Sequence, residues 1–462
     1  MYRHAARGAV AAAVALCGVA QAQSNEELKA TLDQALNTIR DLQARVEALE
    51  RQKASVQPVT APVAAGATTS TSTPAAPASI GAPVVSPGAM AEEGAADLDK
   101  ARVEFYGHVM LDAIYDARRM NPDWNATLRP SQIPINCPGS PGCGQDGATI
   151  FSVRQSSLGF KSFIPTRLGE IRTDLSFDLF GTNGGTQVHW LNAWAELGMF
   201  GAGQYYSNFM DIEVYPNTID YWGPSGMVFV RNPQLRMTPW NKDGASVAIS
   251  LESPGSAIDT GRITRVDPAL GSAISGWNKL PDLVGAFKLE RDWGHFKAAG
   301  IVRQVGYQNT ASFNGEPSGT RTGYGLNLSG TLNIFGKRDR LSWQVVSGKG
   351  IASYMNDGGV DLAPDRALHA QTVSTLGWLA YYGHKWNEQW TSSIGYSEHR
   401  QNNTDGQLPT AFRKGSYSSL NLLYSPTPNA TVGGELIWGR LEDKLGRSAD
   451  DYRFQFSTKV GF

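Results

Sequence analysis

From Ala101 onward, the lengths of the connections between apolar–polar alternating runs constrain the fold more than any other feature of the chain. Short links fall at 164–168, 200–203, 239–243, 292–294, 336–339, 384–387 and 426–429. Longer ones fall at 119–150, 181–187, 211–226, 252–281, 309–321, 349–369, 401–413 and 442–450. Long and short alternate, and both chain ends fall on the short side. Eight long loops and seven short turns require sixteen strands. Closed membrane-spanning barrels are built with such segregated loops and an even strand count. Greek-key crossovers in a β-sandwich give no reason for it. The expected fold class is all-β: a 16-stranded antiparallel transmembrane β-barrel, preceded by an N-terminal periplasmic coiled-coil helix.

The runs themselves suit that reading. Val103, Phe105, Gly107, Val109, Leu111, Ala113, Tyr115 and Ala117 share one parity, opposite Glu104, Tyr106, His108, Met110, Asp112, Ile114, Asp116 and Arg118. Eight residues per face exceeds the usual soluble strand and suits a tilted crossing of the hydrocarbon layer. The chain ends on Tyr452, Phe454, Phe456, Thr458, Val460 and Phe462, alternating with Arg453, Gln455, Ser457, Lys459 and Gly461. This reads as the last strand, closing against the first near Val103, with aromatics in lipid and polar groups toward the lumen. Closure removes unpaired edges, which hydrocarbon does not tolerate. The terminal Phe462 resembles the signal read by bacterial barrel-assembly machinery, an expected partner.

The N-terminus has the form of a secretory signal over 1–22. Arg3 and Arg7 precede an apolar Gly8–Ala20 stretch, and Ala20-Gln21-Ala22 supplies an A-x-A cleavage site. Within 23–52 a heptad places Asn25, Leu32, Ile39 and Val46 at a and Leu28, Ala35, Leu42 and Leu49 at d. So short a seam needs partner chains. Residues 53–100 are Ala, Pro, Thr, Ser and Val, too poor in apolar bulk to fold, and read as a linker. The barrel is then 101–462. Cleavage after Ala22 removes Cys17 and leaves Cys137 and Cys143 in Cys-Pro-Gly-Ser-Pro-Gly-Cys, a loop suited to a disulfide in an oxidising compartment. No His or further Cys lies near to make it a metal site. Net charge is -1, which argues against a nucleic-acid partner.

Sixteen strands leave an aqueous channel, so passive diffusion is the expected activity, without cofactor or metal. The third long connection, 211–226, with the stretches 203–211 and 219–238 around it, is the expected constriction. Arg231 and Arg236 lie beside it and are the first candidates for a cationic filter, with Arg154, Arg172, Arg303 and Lys297 on strands around it. Lys288 and Lys459 belong to the same set. A guanidinium in a narrow low-dielectric lumen attracts carboxylates and can bind them through two hydrogen bonds. Glu170, Asp174, Asp178, Glu196, Glu290 and Glu435 lie on the same walls and offer these cations salt partners instead. Tyr205, Tyr206, Tyr215, Tyr221 and Trp222 crowd the loop, so a general pore, or one for neutral or aromatic solutes, is the alternative.

Several stretches also carry a family likeness: Ser207-Asn208-Phe209-Met210-Asp211, the segment from Gly226 to Arg236, Ser347-Gly348-Lys349-Gly350, Trp438-Gly439-Arg440 and the final strand. Together they resemble the DcaP-like outer-membrane porins of Gram-negative bacteria. The resemblance implies a homotrimer of sixteen-stranded barrels in the outer membrane, among outer-membrane lipid and lipopolysaccharide. It also implies a periplasmic coiled-coil extension and uptake of small anionic solutes such as dicarboxylates. An enzyme is not expected. His108, His189, His295, His369, His384 and His399 are scattered, and no G-x-S-x-G motif or metal-spaced His pair occurs. His295 and His384, beside Trp293 and Trp386, read as members of an interfacial aromatic belt. A periplasmic tethering role for the coiled coil and linker is compatible with transport.

Overall fold

The structure is a computed structural model that describes residues 101–135, 146–181, 184–335 and 338–462. The signal segment, coiled coil, linker and the Cys137/Cys143 loop expected above lie outside the described residues.

Sixteen antiparallel strands form one closed sheet. They are β1 (Arg102–Asp116), β2 (Ala148–Ser152 continuing as Ser157–Thr166), β3 (Gly169–Phe180), β4 (Thr186–Leu197), β5 (Phe200–Tyr206) and β6 (Arg231–Lys242). Then come β7 (Ala245–Glu252), β8 (Asp282–Arg291), β9 (Gly294–Asn309), β10 (Gly319–Ile334) and β11 (Asp339–Lys349). The last five are β12 (Ser374–Lys385), β13 (Trp390–Asn402), β14 (Phe412–Thr427), β15 (Ala430–Asp443) and β16 (Ser448–Gly461). Each pairs with its successor, and β16 returns to β1 from Asp116↔Arg453 to His108↔Gly461. The seam begins at Gly107, which exchanges backbone hydrogen bonds with Phe462 at 3.2 and 3.1 Å, while 102–106, including Val103, continues beyond it and pairs with β2.

The parities follow the sequence. Val103, Phe105, Val109, Leu111 and Tyr115 face out, as do Tyr452, Phe454, Phe456, Val460 and Phe462. Asp112, Asp116, Arg453, Gln455 and Ser457 are buried inside. A closed barrel with an apolar exterior and a polar interior satisfies every strand hydrogen bond without water, the condition for crossing a bilayer. Exposed Trp293, Trp386 and Trp390 stand at the short-turn rim, where amphipathic rings favour the interface. The turn between β6 and β7 is Asp243-Gly244, with φ of 53° and 67°. Positive φ at both central positions matches the twist of a tight hairpin.

Four long connections are clearly shorter than expected, 310–318 and 403–411 among them. Residues 181–185 and 444–447 alone link β3 to β4 and β15 to β16, because those strands run further out of the barrel. The connection 253–281 carries two short helices, α1 (Arg262–Val266) and α2 (Pro268–Ala273).

Candidate functional site

The connection from β5 to β6, residues 207–230, folds into the lumen and is fixed there along its length. Its outgoing arm runs along β7 to β11. The Asn208 backbone N–H donates to Glu252 at 2.8 Å, and Asn327 donates to the Phe209 carbonyl at 2.8 Å. Lys297 Nζ donates to the Met210 carbonyl at 2.6 Å. Asp211 meets His295 at 2.8 Å and accepts from Ser329 at 2.6 Å. Glu213 pairs with Lys288, while its carbonyl accepts from Arg340 at 2.7 Å. His295 is thus a buried loop anchor and does not belong to the aromatic belt expected from its neighbour Trp293; Asp211 and Thr331 hold its two ring nitrogens. His384 does stand edge-on to Trp386, with ring centroids 4.3 Å apart.

The tip reaches the opposite wall. Glu435 accepts from Thr218 and from the Ile219 backbone N–H, and Gln155 and Gln455 donate to the Ile219 carbonyl at 2.9 and 2.8 Å. The Ile219 side chain packs with Met110 and Leu423. Asp220 accepts from Thr127, the Leu128 N–H, the Gly223 N–H and Tyr417. On the return, Gly226 lies flush against the wall: its N–H donates to Ser397 at 2.8 Å, and an added Cβ would sit 2.1 Å from the Glu398 carbonyl oxygen.

Burial alone would raise the Asp211 carboxyl. The His295 hydrogen bond and charge, with Lys297 and Ser329, outweigh burial and hold it below the ordinary carboxylate range. A carboxyl depressed in the folded state stabilises the closed loop above the pKa of a free Asp, about 4, and loses that contribution only as pH falls through the depressed value. Asp211→Asn is therefore expected to loosen the outgoing arm at pH 7, giving noisier and larger single-channel currents. The wild type stays quiet down to about pH 4. Equal noise in both proteins at pH 7 contradicts the anchor.

Opposite this filled side, the partly open lumenal side chains lie on β3 to β6. Arg172 and Glu196 have side chains 33% and 29% exposed, and Tyr205, Arg231 and Arg236 are half-buried. The six basic candidates separate by their partners. Arg303 is wholly taken up by the wall, 3.1 Å from Asp282 and 3.6 Å from Asp361, with Ser353 at 2.7 Å. Arg154 is buried, its guanidinium over the Phe180 ring at 4.0 Å, and donates to the Gly181 carbonyl. Lys297 holds the loop backbone. Arg172 bonds Glu170 at 2.8 Å and lies 4.0 Å from Glu196.

Arg231 and Arg236, like Arg154 and Lys297, form no ion pair among the described residues, but Arg154 is buried and Lys297 is spent on the loop backbone, whereas these two are only half-buried. Arg231 lies 4.2 Å over the Tyr206 ring and donates to its hydroxyl at 2.6 Å, leaving Nε without a partner. Arg236 lies 5.5 Å from the Trp194 ring and bonds Gln234 and the Tyr206 carbonyl. Rings and neutral acceptors orient these guanidiniums without cancelling their charge. An aromatic chain from Trp194 through Tyr205 and Tyr206 to Phe229 carries them. The sequence singled out Tyr205 and Tyr206 but missed Trp194 and Phe229, which are 35 residues apart and meet only through the fold.

A sixteen-stranded transmembrane barrel narrowed by an inward third loop defines the porin class of fold. The outer-membrane channel DcaP of Acinetobacter baumannii shares it, with a TM-score of 0.67 at 19% identity over 78% of this chain and 97% of that one. An anion-selective porin from Comamonas acidovorans matches with a TM-score of 0.50 at 10% identity, over 79% of this chain and all of that one. No protein-family model and no curated protein matches the chain.

Proposed function

We propose that the protein is a passive porin of the Gram-negative outer membrane, preferring small anionic solutes such as dicarboxylates. The observation that carries the preference is the pair Arg231 and Arg236, partly open, stacked on rings and lacking acidic partners. Uncancelled charge in a narrow lumen attracts ions of opposite sign and speeds their entry. The arginines expected alongside them do less. Arg154 and Arg303 belong to the wall, Lys297 holds the loop, and Arg172 with Glu170 and Glu196 forms a mixed-charge cluster at the short-turn end of β3 and β4.

The assembly we propose is a homotrimer. The outer face of β1 to β5 supplies apolar bulk for it in Phe105, Phe151, Trp190 and Phe200. A hollow of about 620 Å³ continues this face, lined by Leu197, Ala202, Leu235 and Ile249 among others.

Swelling of proteoliposomes is the first test. A C4 dicarboxylate is expected to enter several-fold faster than a zwitterion of the same size. Equal rates would favour the general pore, and faster entry of neutral aromatic solutes would favour the ring-lined alternative.

A further inference from the structure

The outer surface of β12 to β16 differs from the rest of the lipid-facing belt near the long-loop rim. Outward-facing Trp378, Tyr396 and Trp438 form a continuous ledge, with ring centroids 5.2 and 6.4 Å apart. Such a ledge marks the level at which hydrocarbon gives way to headgroups. Directly above it stand Arg400, Arg413, Lys414 and Arg440, opposed by Glu398, Glu442 and Asp450. The ledge itself engages two of these acids. The Tyr396 hydroxyl donates to Glu398 at 3.2 Å, and Trp438 Nε1 donates to Asp450 at 3.2 Å.

The cations are incompletely neutralised. Arg413 and Lys414 share Glu442 at 3.4 and 3.7 Å, and Lys414 lies 3.9 Å from Glu398. Arg440 lies 3.6 Å from Asp450. Arg400 is exposed and forms no ion pair among the described residues. It stands directly opposite Lys414 in the β13–β14 ladder. Like charges placed opposite each other destabilise a sheet, unless an anion lies between them. An oxyanion with several acceptor oxygens suits that gap, because guanidinium and ammonium groups then converge on it with charge-assisted hydrogen bonds.

We infer that this patch binds the phosphorylated headgroup of an outer-leaflet glycolipid, with the phosphate between Arg400 and Lys414 and the acyl chains below the Trp378–Tyr396–Trp438 ledge. The inference rests on the membrane placement proposed above and not on the pore's selectivity, since these side chains face away from the lumen. Basic clusters at the membrane surface attract anionic headgroups in this way.

The test uses the full-length protein, refolded in detergent, and native mass spectrometry of bound diphosphoryl lipid A. The comparison arms are the same lipid with its phosphates removed, inorganic phosphate as competitor, and the variant Arg400→Gln/Lys414→Gln. The variant is expected to bind diphosphoryl lipid A about tenfold more weakly. It should keep the heat-modifiable mobility of a folded barrel and the wild-type conductance. The dephosphorylated lipid should bind the wild type as weakly as the variant binds lipid A, and millimolar inorganic phosphate should not displace the lipid. Equal binding by the variant, or by the dephosphorylated lipid, overturns the site. Displacement by inorganic phosphate reassigns it to a free anion and overturns the lipid reading. A wild type that binds lipid A but passes no current leaves this site standing and fails the porin reading instead.

Discussion

Replacing both Arg231 and Arg236 by Glu is expected to invert the ionic preference of the pore. The change takes the local charge from +2 to -2 at the root of the inward loop. The surroundings make the effect large. Neither guanidinium forms a direct ion pair among the described residues, so its charge is not cancelled at contact. The aromatic chain around them has a low dielectric constant compared with water, and fields there are poorly screened. Some other lumenal charges are already paired, as Arg303 is with Asp282 and Lys288 with Glu213. The reversal potential under a salt gradient should therefore change sign in the double variant. The conservative pair Arg231→Lys/Arg236→Lys should keep the sign while weakening discrimination among carboxylates, because an ammonium lacks the planar fork. An unchanged reversal potential in the Glu variant would remove these residues from the filter.

The second large effect is on stability, at the seam where the barrel closes. Arg453 on β16 faces Asp116 on β1 through two hydrogen bonds, at 2.6 and 2.9 Å, and donates also to the Asn125 carbonyl at 3.0 Å. Both side chains are essentially inaccessible, at 0% and 2% exposure. Arg453→Met leaves Asp116 charged and buried, and Asp220 and Asp451, which also face the guanidinium, lose their counter-charge. Breaking a buried pair in this way costs about 3–5 kcal/mol. Urea unfolding of the refolded barrel in detergent micelles, followed by tryptophan fluorescence, should show that loss. Asp116→Leu/Arg453→Met should recover part of it, since removing both charges is far less costly than removing one. Full recovery is not expected while Asp220 and Asp451 remain. A single variant as stable as the wild type would contradict the seam.

The wall was legible in the sequence because strand parity is local. Val103, Phe105 and Val109 on the first strand, and Tyr452, Phe454 and Phe456 on the last, face outward as their alternation implies. The strand count followed from the connections, although 181–185 and 444–447 proved short and their strands correspondingly long. The lumen was less legible. Met110, Ile114 and Leu423 sit on the inward parity, where a water-filled channel wants polar groups, yet all three are buried. Met110 and Leu423 receive Ile219 from the loop tip. Apolar residues on an inward parity are the trace that a docked loop leaves in sequence, and it becomes readable only once the parity is assigned.

The basic candidates were legible as a set but not one by one. Arg303 meets Asp361, and Arg453 meets Asp116, across 58 and 337 positions of chain. Such partners are brought together by barrel closure and loop entry, which no local pattern encodes. His295 shows the same limit. Its place beside Trp293 suggested an interfacial residue, and the incoming Asp211 made it an anchor. Arg231 and Arg236 stood out in sequence only by lying next to the third loop. Their distinguishing combination, partial exposure without a direct ion pair, is a fact of three-dimensional structure.

The central claim is that an inward loop leaves a passage whose uncancelled charge is cationic. Its most direct test is the reversal potential of the wild-type protein in a planar bilayer across a tenfold KCl gradient. The account predicts a reversal displaced toward the chloride equilibrium potential, and more strongly so at low salt, where screening is weakest. A reversal at zero, or displaced toward the potassium equilibrium potential, would contradict it.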